Sequence, residues 1–300
     1  VVAAPDGRVV ATTDLLVSGR HFRPDWSSPY DVGRKAAAQN LADIAAMGAA
    51  PTGLLVGLAT PPQLTLAWAD GLADGLRDEC TAAGCGVVGG DVVRADVLML
   101  AVTALGDLQG RAPVTRGGAR AGDVVCVIGS LGGAAAGLAV LTAGGADSAL
   151  AARHPGAVAA HRCPSPPYAV GVLAATLGVR AMVDVSDGLL ADLGHLAAAS
   201  AVALVVEAAA LPRHAGVAAV AADLGIDGDL LVATGGEDHA LALTAPLAVA
   251  ATLLTALAER PELGPAAVVG RVKTGAGVRL TGSRADPAGP GGFDHFAAAD

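Results

Sequence analysis

The sequence predicts a mixed α/β protein of two domains, on three observations. β-branched runs alternate with helix-period segments along the chain, the pattern of layered α/β architecture. Several successive strands are separated only by hairpin-length gaps, which favours mixed sheets over a purely parallel one. A Gly-, Pro- and Arg-rich stretch from Gly106 to Arg120 interrupts the alternation and marks a boundary. We set the domains at residues 1–110 and 111–300, a division that suits the length of the chain.

Taken in order, Arg8 to Thr13 reads as a strand that delivers Thr12, Thr13 and Asp14 to its end. A loop through Ser18 and His21 follows. A helix then runs from about Asp31 to Gly48, with Ala37, Leu41 and Ile44 on one stripe and Gly48 suited to its left-handed close. Thr52 to Ala59 is a strand, Leu64 to Ala83 an amphipathic helix, and Gly86 to Asp91 a short buried strand ending in an acid. Val97 to Leu105 closes the first domain. In the second, strand Val124 to Ile128 leads into the glycine-rich turn Gly129 to Gly137 and a helix. Pro155 to Pro167 reads as a break, and Tyr168 to Leu177 as a helix. Ala181 to Gly188 is a strand and turn, followed by helix Leu189 to Ala199 and strand Val202 to Val206. A turn at Ala233 to Asp238 precedes strand Ala240 to Leu243 and helix Leu247 to Leu257. Ala267 to Val272 and Val278 to Leu280 are closing strands.

Hydrophobic residues make up 53% of the chain but aromatics only 2%, so the core must be close-packed from Ala, Val and Leu. The net charge of −9 argues against a general nucleic-acid binder, which needs a basic face. Cys80, Cys85, Cys126 and Cys163 form no Cys-x-x-Cys pair and read as free thiols. No stretch has the length and apolar continuity of a membrane span and no leader is visible, so the expected location is the cytoplasm.

Asp43 stands between Ala42 and Ile44 with no Lys or Arg three or four places away. Such a carboxylate is costly to bury unless a cation meets it. Asp14, Asp91 and Asp184 fall at or just after strands, where α/β proteins gather ligands, and Asp187 lies close behind. Hard oxygen donors of this kind suit Mg²⁺. Each taken singly is more often a turn or capping residue, and Asp187 reads equally as a cap for the helix after Gly188. The Gly129 to Gly137 turn, between strand and helix, reads either as an anion cradle or as close packing. Arg116 has the fork that grips a phosphate, or is a surface residue. His21 and Glu237 read as substrate contacts or as an exposed loop residue and a turn cap. Phe293 reads as a ring cover or an anchor for the tail.

The run Thr12-Thr-Asp-Leu-Leu-Val-Ser-Gly-Arg-His-Phe22, together with Asn40-Leu-Ala-Asp-Ile-Ala-Ala-Met-Gly-Ala49, Gly89-Gly-Asp91 and Thr115-Arg-Gly-Gly-Ala119, resembles the thiamine-monophosphate kinase family of the aminoimidazole-ribonucleotide-synthetase superfamily. Asp184-Val-Ser-Asp-Gly-Leu-Leu-Ala-Asp-Leu-Gly194, Gly235-Gly-Glu-Asp238 and Gly292-Phe-Asp-His-Phe296 extend the resemblance over nearly the whole chain. It implies ATP-dependent phosphorylation of thiamine monophosphate to thiamine diphosphate, and a homodimer whose N-terminal domains pair in a barrel-like interface. It further implies a magnesium shell of Thr12, Thr13, Asp14, Asp43, Asp91, Asp184 and Asp187, with Asp43 and Arg116 central to catalysis. ATP contacts are implied at Gly90, Asp91, Arg116 and Ser186, and substrate contacts at His21, Glu237 and Phe293. The family's Gly-Asp-Asp metal motif is expected before Val1. His239 and Ala240 depart from the family's Tyr and Glu, and the resemblance gives neither a role. Two other readings remain: a selenophosphate-synthetase or hydrogenase-maturation type of synthetase, and a non-catalytic nucleotide-binding dimer. The first Cys is Cys80 and the tail ends Ala-Ala-Ala-Asp300, without the cysteines those synthetases use.

Overall fold

The computed structural model describes residues 1–283. The first half is a four-stranded sheet in the order β1-β4-β2-β3, formed by β1 (Val10–Val17), β2 (Ala50–Thr60), β3 (Val87–Arg94) and β4 (Met99–Asp107). β4 is antiparallel to both β1 and β2, while β3 runs parallel to β2. Helices α1 (Pro29–Ala46) and α2 (Leu66–Ala83) cover one face. Ser28 caps α1 in a reciprocal box with Asp31, and Pro29 sits where a helix tolerates a missing N–H, so the helix begins two residues ahead of Asp31. Leu16, Leu41, Ile44, Leu54 and Leu100 fill the core between these layers.

The second half is a six-stranded sheet in the order β10-β7-β9-β5-β8-β6. Its strands are β5 (Val124–Ile128), β6 (Ala181–Asp184), β7 (Ala203–Glu207), β8 (Leu241–Ala245), β9 (Ala266–Lys273) and β10 (Gly277–Thr281). Only β10 and β7 pair in parallel. Helices α3 (Gly133–Gly144), α4 (Ala149–Arg153), α5 (Pro155–Arg162), α6 (Tyr168–Leu177), α7 (Leu189–Ser200), α8 (Val217–Leu224), α9 (Gly228–Thr234) and α10 (Leu247–Ala258) surround it. Separate apolar clusters lie on the sheet's two faces, one around Val127, Leu193 and Val206 and the other around Ile128, Met182 and Leu253.

The segment read as a break at Pro155 is helical, because proline is accepted at the first helical position. The strand read as buried and ending at Asp91 is exposed along its whole length and continues to Arg94. Among the described residues, no helix is long and apolar enough to cross a membrane.

The halves meet where α1 lies against α6 and β6. Gly171 on α6 makes this contact possible: a Cβ there would stand 2.0 Å from the carbonyl oxygen of Ala45. Helix α1 thus lies against both sheets and can carry side chains to the cleft between them.

Candidate active site

Asn40, fully buried on α1, fixes the first part of the site. Its Oδ1 accepts from the Asp14 N–H at 3.1 Å and its Nδ2 donates to the Ala36 carbonyl at 2.9 Å, so β1 and α1 are locked in register. The Gln39 amide donates to Asp14 Oδ2 at 3.3 Å. One turn beyond Asn40, Asp43 lies beneath Thr12, whose Oγ1 donates to Asp43 Oδ2 at 2.6 Å. Thr12 and Asp14 share a face of β1 because side chains alternate along a strand. Thr13 therefore points the other way, donating to the Val102 carbonyl at 3.0 Å. The strand pleat thus separates Thr13 from the group to which the resemblance assigned it.

The second half supplies Asp184, buried at the end of β6. Burial and then the nearby Asp184 and Asp14 carboxylates push Asp43 up to about 7, against the opposing Thr12 hydrogen bond. His239 Nδ1 lies 3.1 Å from Asp184 Oδ2. Burial opposes charge on this ring, but Asp184, with Glu237 and Asp43 behind it, raises the His239 pKa. A residue that the resemblance gave no role thus meets the acidic pocket directly.

Asp43, Asp14 and Asp184, with the Thr12 hydroxyl, offer oxygen donors whose mutual repulsion a hard cation would relieve. Among the described residues, no three acidic, His or Cys side chains form a ready-made metal cage. That combination fits Mg²⁺, which takes one or two carboxylates and fills its octahedron with water and substrate phosphate.

Asp187 is half-buried just past β6, and its side chain does not cap α7, whose N-cap is Gly188. The turn before α7 is held by Asp192, which the sequence reading did not single out. It accepts from the N–H groups of Asp187 and Gly188, each at 3.1 Å. Burial, Asp184 and Asp187 raise Asp192 to about 7. Gly188, at φ 123°, passes so close to Thr234 that a Cβ would stand 2.4 Å from its carbonyl oxygen. Ser186 anchors the opposite loop by accepting from the Glu237 N–H at 2.8 Å.

The glycine-rich turn before α3 does face an anion, but an internal one. Asp238 accepts from the N–H of Gly132 at 2.5 Å and of Ala134 at 2.9 Å. Those donors are occupied by the protein's own carboxylate. Asp238 stands after a Gly-Gly pair and 104 residues from Ala134, so only folding reveals the pairing.

His21 and Glu237 lie far apart in sequence yet share one ammonium. Lys35 Nζ donates to the His21 carbonyl at 3.1 Å and pairs with Glu237 Oε1 at 2.8 Å. Arg116 is exposed beside β6: the Ser200 hydroxyl donates to its carbonyl at 3.0 Å, and Met182 N–H donates to that of Thr115. Phe293 lies outside the described residues.

Gly90 and Asp91 are elsewhere. Asp91 pairs with Gly57, Gly57 with Ala101, and Ala101 with Leu15, so Asp91 is level with Leu15, the residue after Asp14, and three strands away. At the usual strand spacing this is roughly 14 Å along the sheet. The carboxylate of Asp91 is exposed and accepts from the neighbouring Val92 N–H. Within one chain it does not join Asp14, Asp43 and Asp184, contrary to the expected single shell.

Family models match both halves of the chain: the N-terminal domain of AIR synthase related protein over residues 1–108 and the C-terminal domain over residues 120–283. The thiamine-monophosphate kinase of Mycobacterium tuberculosis is 50% identical over 242 residues, covering 80% of this chain and 71% of that protein. The crystal structure of thiamine-monophosphate kinase from Stenotrophomonas maltophilia K279a matches with a TM-score of 0.84 at 34% identity, over 94% of this chain and 88% of that one. A ThiL structure complexed with AMPPCP and TMP matches with a TM-score of 0.80 at 28% identity, over 96% of this chain and 87% of that one.

Proposed function

Because this chain belongs to the thiamine-monophosphate kinase family of AIR synthase related proteins, we propose that it transfers the γ-phosphoryl group of ATP directly to the phosphate of thiamine monophosphate. The products are ADP and thiamine diphosphate. The observation that carries this reading is the meeting of Asp43 from α1 with Asp184 from β6, carboxylates from the two halves that burial and mutual repulsion leave in need of a cation.

Both reactants are anionic, so bringing them together is the main obstacle. Mg²⁺ held by Asp14, Asp43, Asp184 and Asp187, with Thr12 beside them, would neutralise charge on the phosphates. The remaining work of the chain is positional. Asn40 and Gln39 hold Asp14, and Thr12 holds Asp43. Ser186 and the exposed guanidinium of Arg116 flank the strand that ends in Asp184, where they suit the triphosphate of ATP. His21 and Glu237 suit the thiamine end, and Phe293 is proposed to cover its rings. The acceptor phosphate is already ionised near pH 7, so no strong general base is needed, and in-line transfer needs no protein nucleophile.

Asp91 and Gly90 enter this scheme through a second copy. β3 is a bare sheet edge with Val92 and Val93 67% and 50% exposed, and Leu15 and Leu55 also face solvent. Such a surface is an invitation to pair. In a twofold dimer, the edge of one copy can bring Asp91 and Gly90 to the ATP phosphates bound by the other.

The direct test is coupled detection of ADP with ATP, Mg²⁺ and purified protein. Release that depends on thiamine monophosphate, with stoichiometric thiamine diphosphate, is expected. Absence of that dependence, or a phosphorylated protein on the pathway, would refute direct transfer.

A further inference from the structure

Lys35 is one of two lysines in the chain, and only 2% of its surface is exposed. A buried ammonium is costly unless its partners are fixed. Its partners are the two segments assigned above to the thiamine end: the His21 carbonyl from the loop after β1 and the Glu237 carboxylate from the loop before β8. The ion pair therefore crosses between the two halves of the molecule.

Glu237 is itself held in an unusual way. Its φ is 67°, in the left-handed region that non-glycine residues avoid, and its N–H is tied to the Ser186 carbonyl. Its neighbour Asp238 is tied to the turn before α3, and His239, at φ 50°, to Asp184. Each side chain of this tripeptide is thus held to a different partner. His161 Nδ1 stands 3.5 Å from Glu237 Oε2. Burial and the nearby Lys35 lower His161 to about 4, so it is neutral at pH 7 and Lys35 supplies the charge that Glu237 faces. About a third of the Glu237 side chain remains exposed and available to a ligand.

We propose that Lys35 is a positioning residue for the thiamine phosphate: it touches no reacting atom, but fixes the Glu237 carboxylate and the His21 loop in the single arrangement that receives the substrate's thiamine end. This rests on the assignment of Glu237 and His21 to that end of the substrate. It separates Lys35 from the acidic pocket, although both lie on α1. Substrate affinity is therefore sensitive to Lys35 while nucleotide affinity is not.

The test is steady-state kinetics of Lys35→Met, Glu237→Gln and the double variant, varying each substrate in turn. Lys35→Met is expected to raise KM for thiamine monophosphate about tenfold or more, with KM for ATP within about twofold of wild type. Because Lys35 acts through Glu237, the double variant is expected to match Glu237→Gln within about twofold. An unchanged KM for thiamine monophosphate, equal rises in both KM values, or multiplied effects in the double variant would overturn the inference. Should Lys35→Met fail to fold through the unpaired Glu237 charge, the double variant removes both charges and carries the test by comparison with Glu237→Gln. Wild-type protein without ADP release dependent on thiamine monophosphate would instead sink the proposed function itself.

Discussion

Asp43→Asn is expected to lower turnover by about a thousandfold or more while leaving the fold intact. The first half of that expectation follows from charge. Asp43 sits with Thr12, Asp14 and Asp184, residues that would hold a cation able to neutralise charge on the phosphates, and removing one electrostatic stabiliser of a charged transition state commonly costs about 10²–10³ in rate. The loss is expected to be larger here because the amide also weakens metal binding. The second half follows from sterics and hydrogen bonding. Asparagine has the shape of aspartate, and its Oδ1 can still accept from Thr12. It also removes the charge that burial and then the neighbouring carboxylates disfavour, the two effects that push Asp43 up to about 7. Circular dichroism and kcat measured on the same preparation check both halves. Activity within about tenfold of wild type would remove Asp43 from the reaction.

Mixing two inactive variants should restore activity. If Asp91 serves the partner's site, a dimer of one Asp43→Asn chain and one Asp91→Asn chain has one site with both defects and one site with neither. Random reassortment of equal amounts makes about half of all dimers mixed, so about a quarter of wild-type activity is expected to return. Each variant alone should remain nearly inactive. The measurement is kcat after joint refolding or co-expression, compared with each parent. No recovery, with mixed dimers demonstrated by tagged chains, would mean that Asp91 acts within its own chain or not at all. The three-strand separation between Asp91 and Asp14 makes the first alternative physically difficult.

Much of the framework was legible in the sequence because it is local. β5, α6 and β6 begin and end where the apolar runs and flanking glycines place them. The α1 face that carries Asn40 and Asp43 follows from helical spacing. What escaped depends on partners distant in sequence. Asp238 looked like a turn residue, but its acceptor role needs a loop 104 residues earlier. Lys35 drew no reading from the sequence, because nothing near it there anticipates Glu237. Thr13 was grouped with Thr12 on resemblance, although strand alternation by itself puts the two on opposite faces. β3 shows the limit of hydrophobicity as a guide: Val-Val-Gly-Gly signals burial without saying whether the cover is the same chain or another.

The central claim is that acidic side chains from both halves share one pocket that calls for a cation, and thermal melting against pH tests it most directly. Asp43 and Asp192 each titrate at about 7 in the folded chain, against about 4 for an unfolded aspartate. The folded state thus binds more protons between those values. Metal-free protein must lose stability as pH rises from about 4 through about 7, and change little more from these groups above that. We predict that Tm of the metal-free wild type falls over this range, that Asp43→Asn shows about half the fall, and that Mg²⁺ restores Tm at pH 8 in wild type far more than in the variant. A wild-type Tm indifferent to pH, or identical Mg²⁺ responses in the two proteins, would contradict a shared acidic pocket.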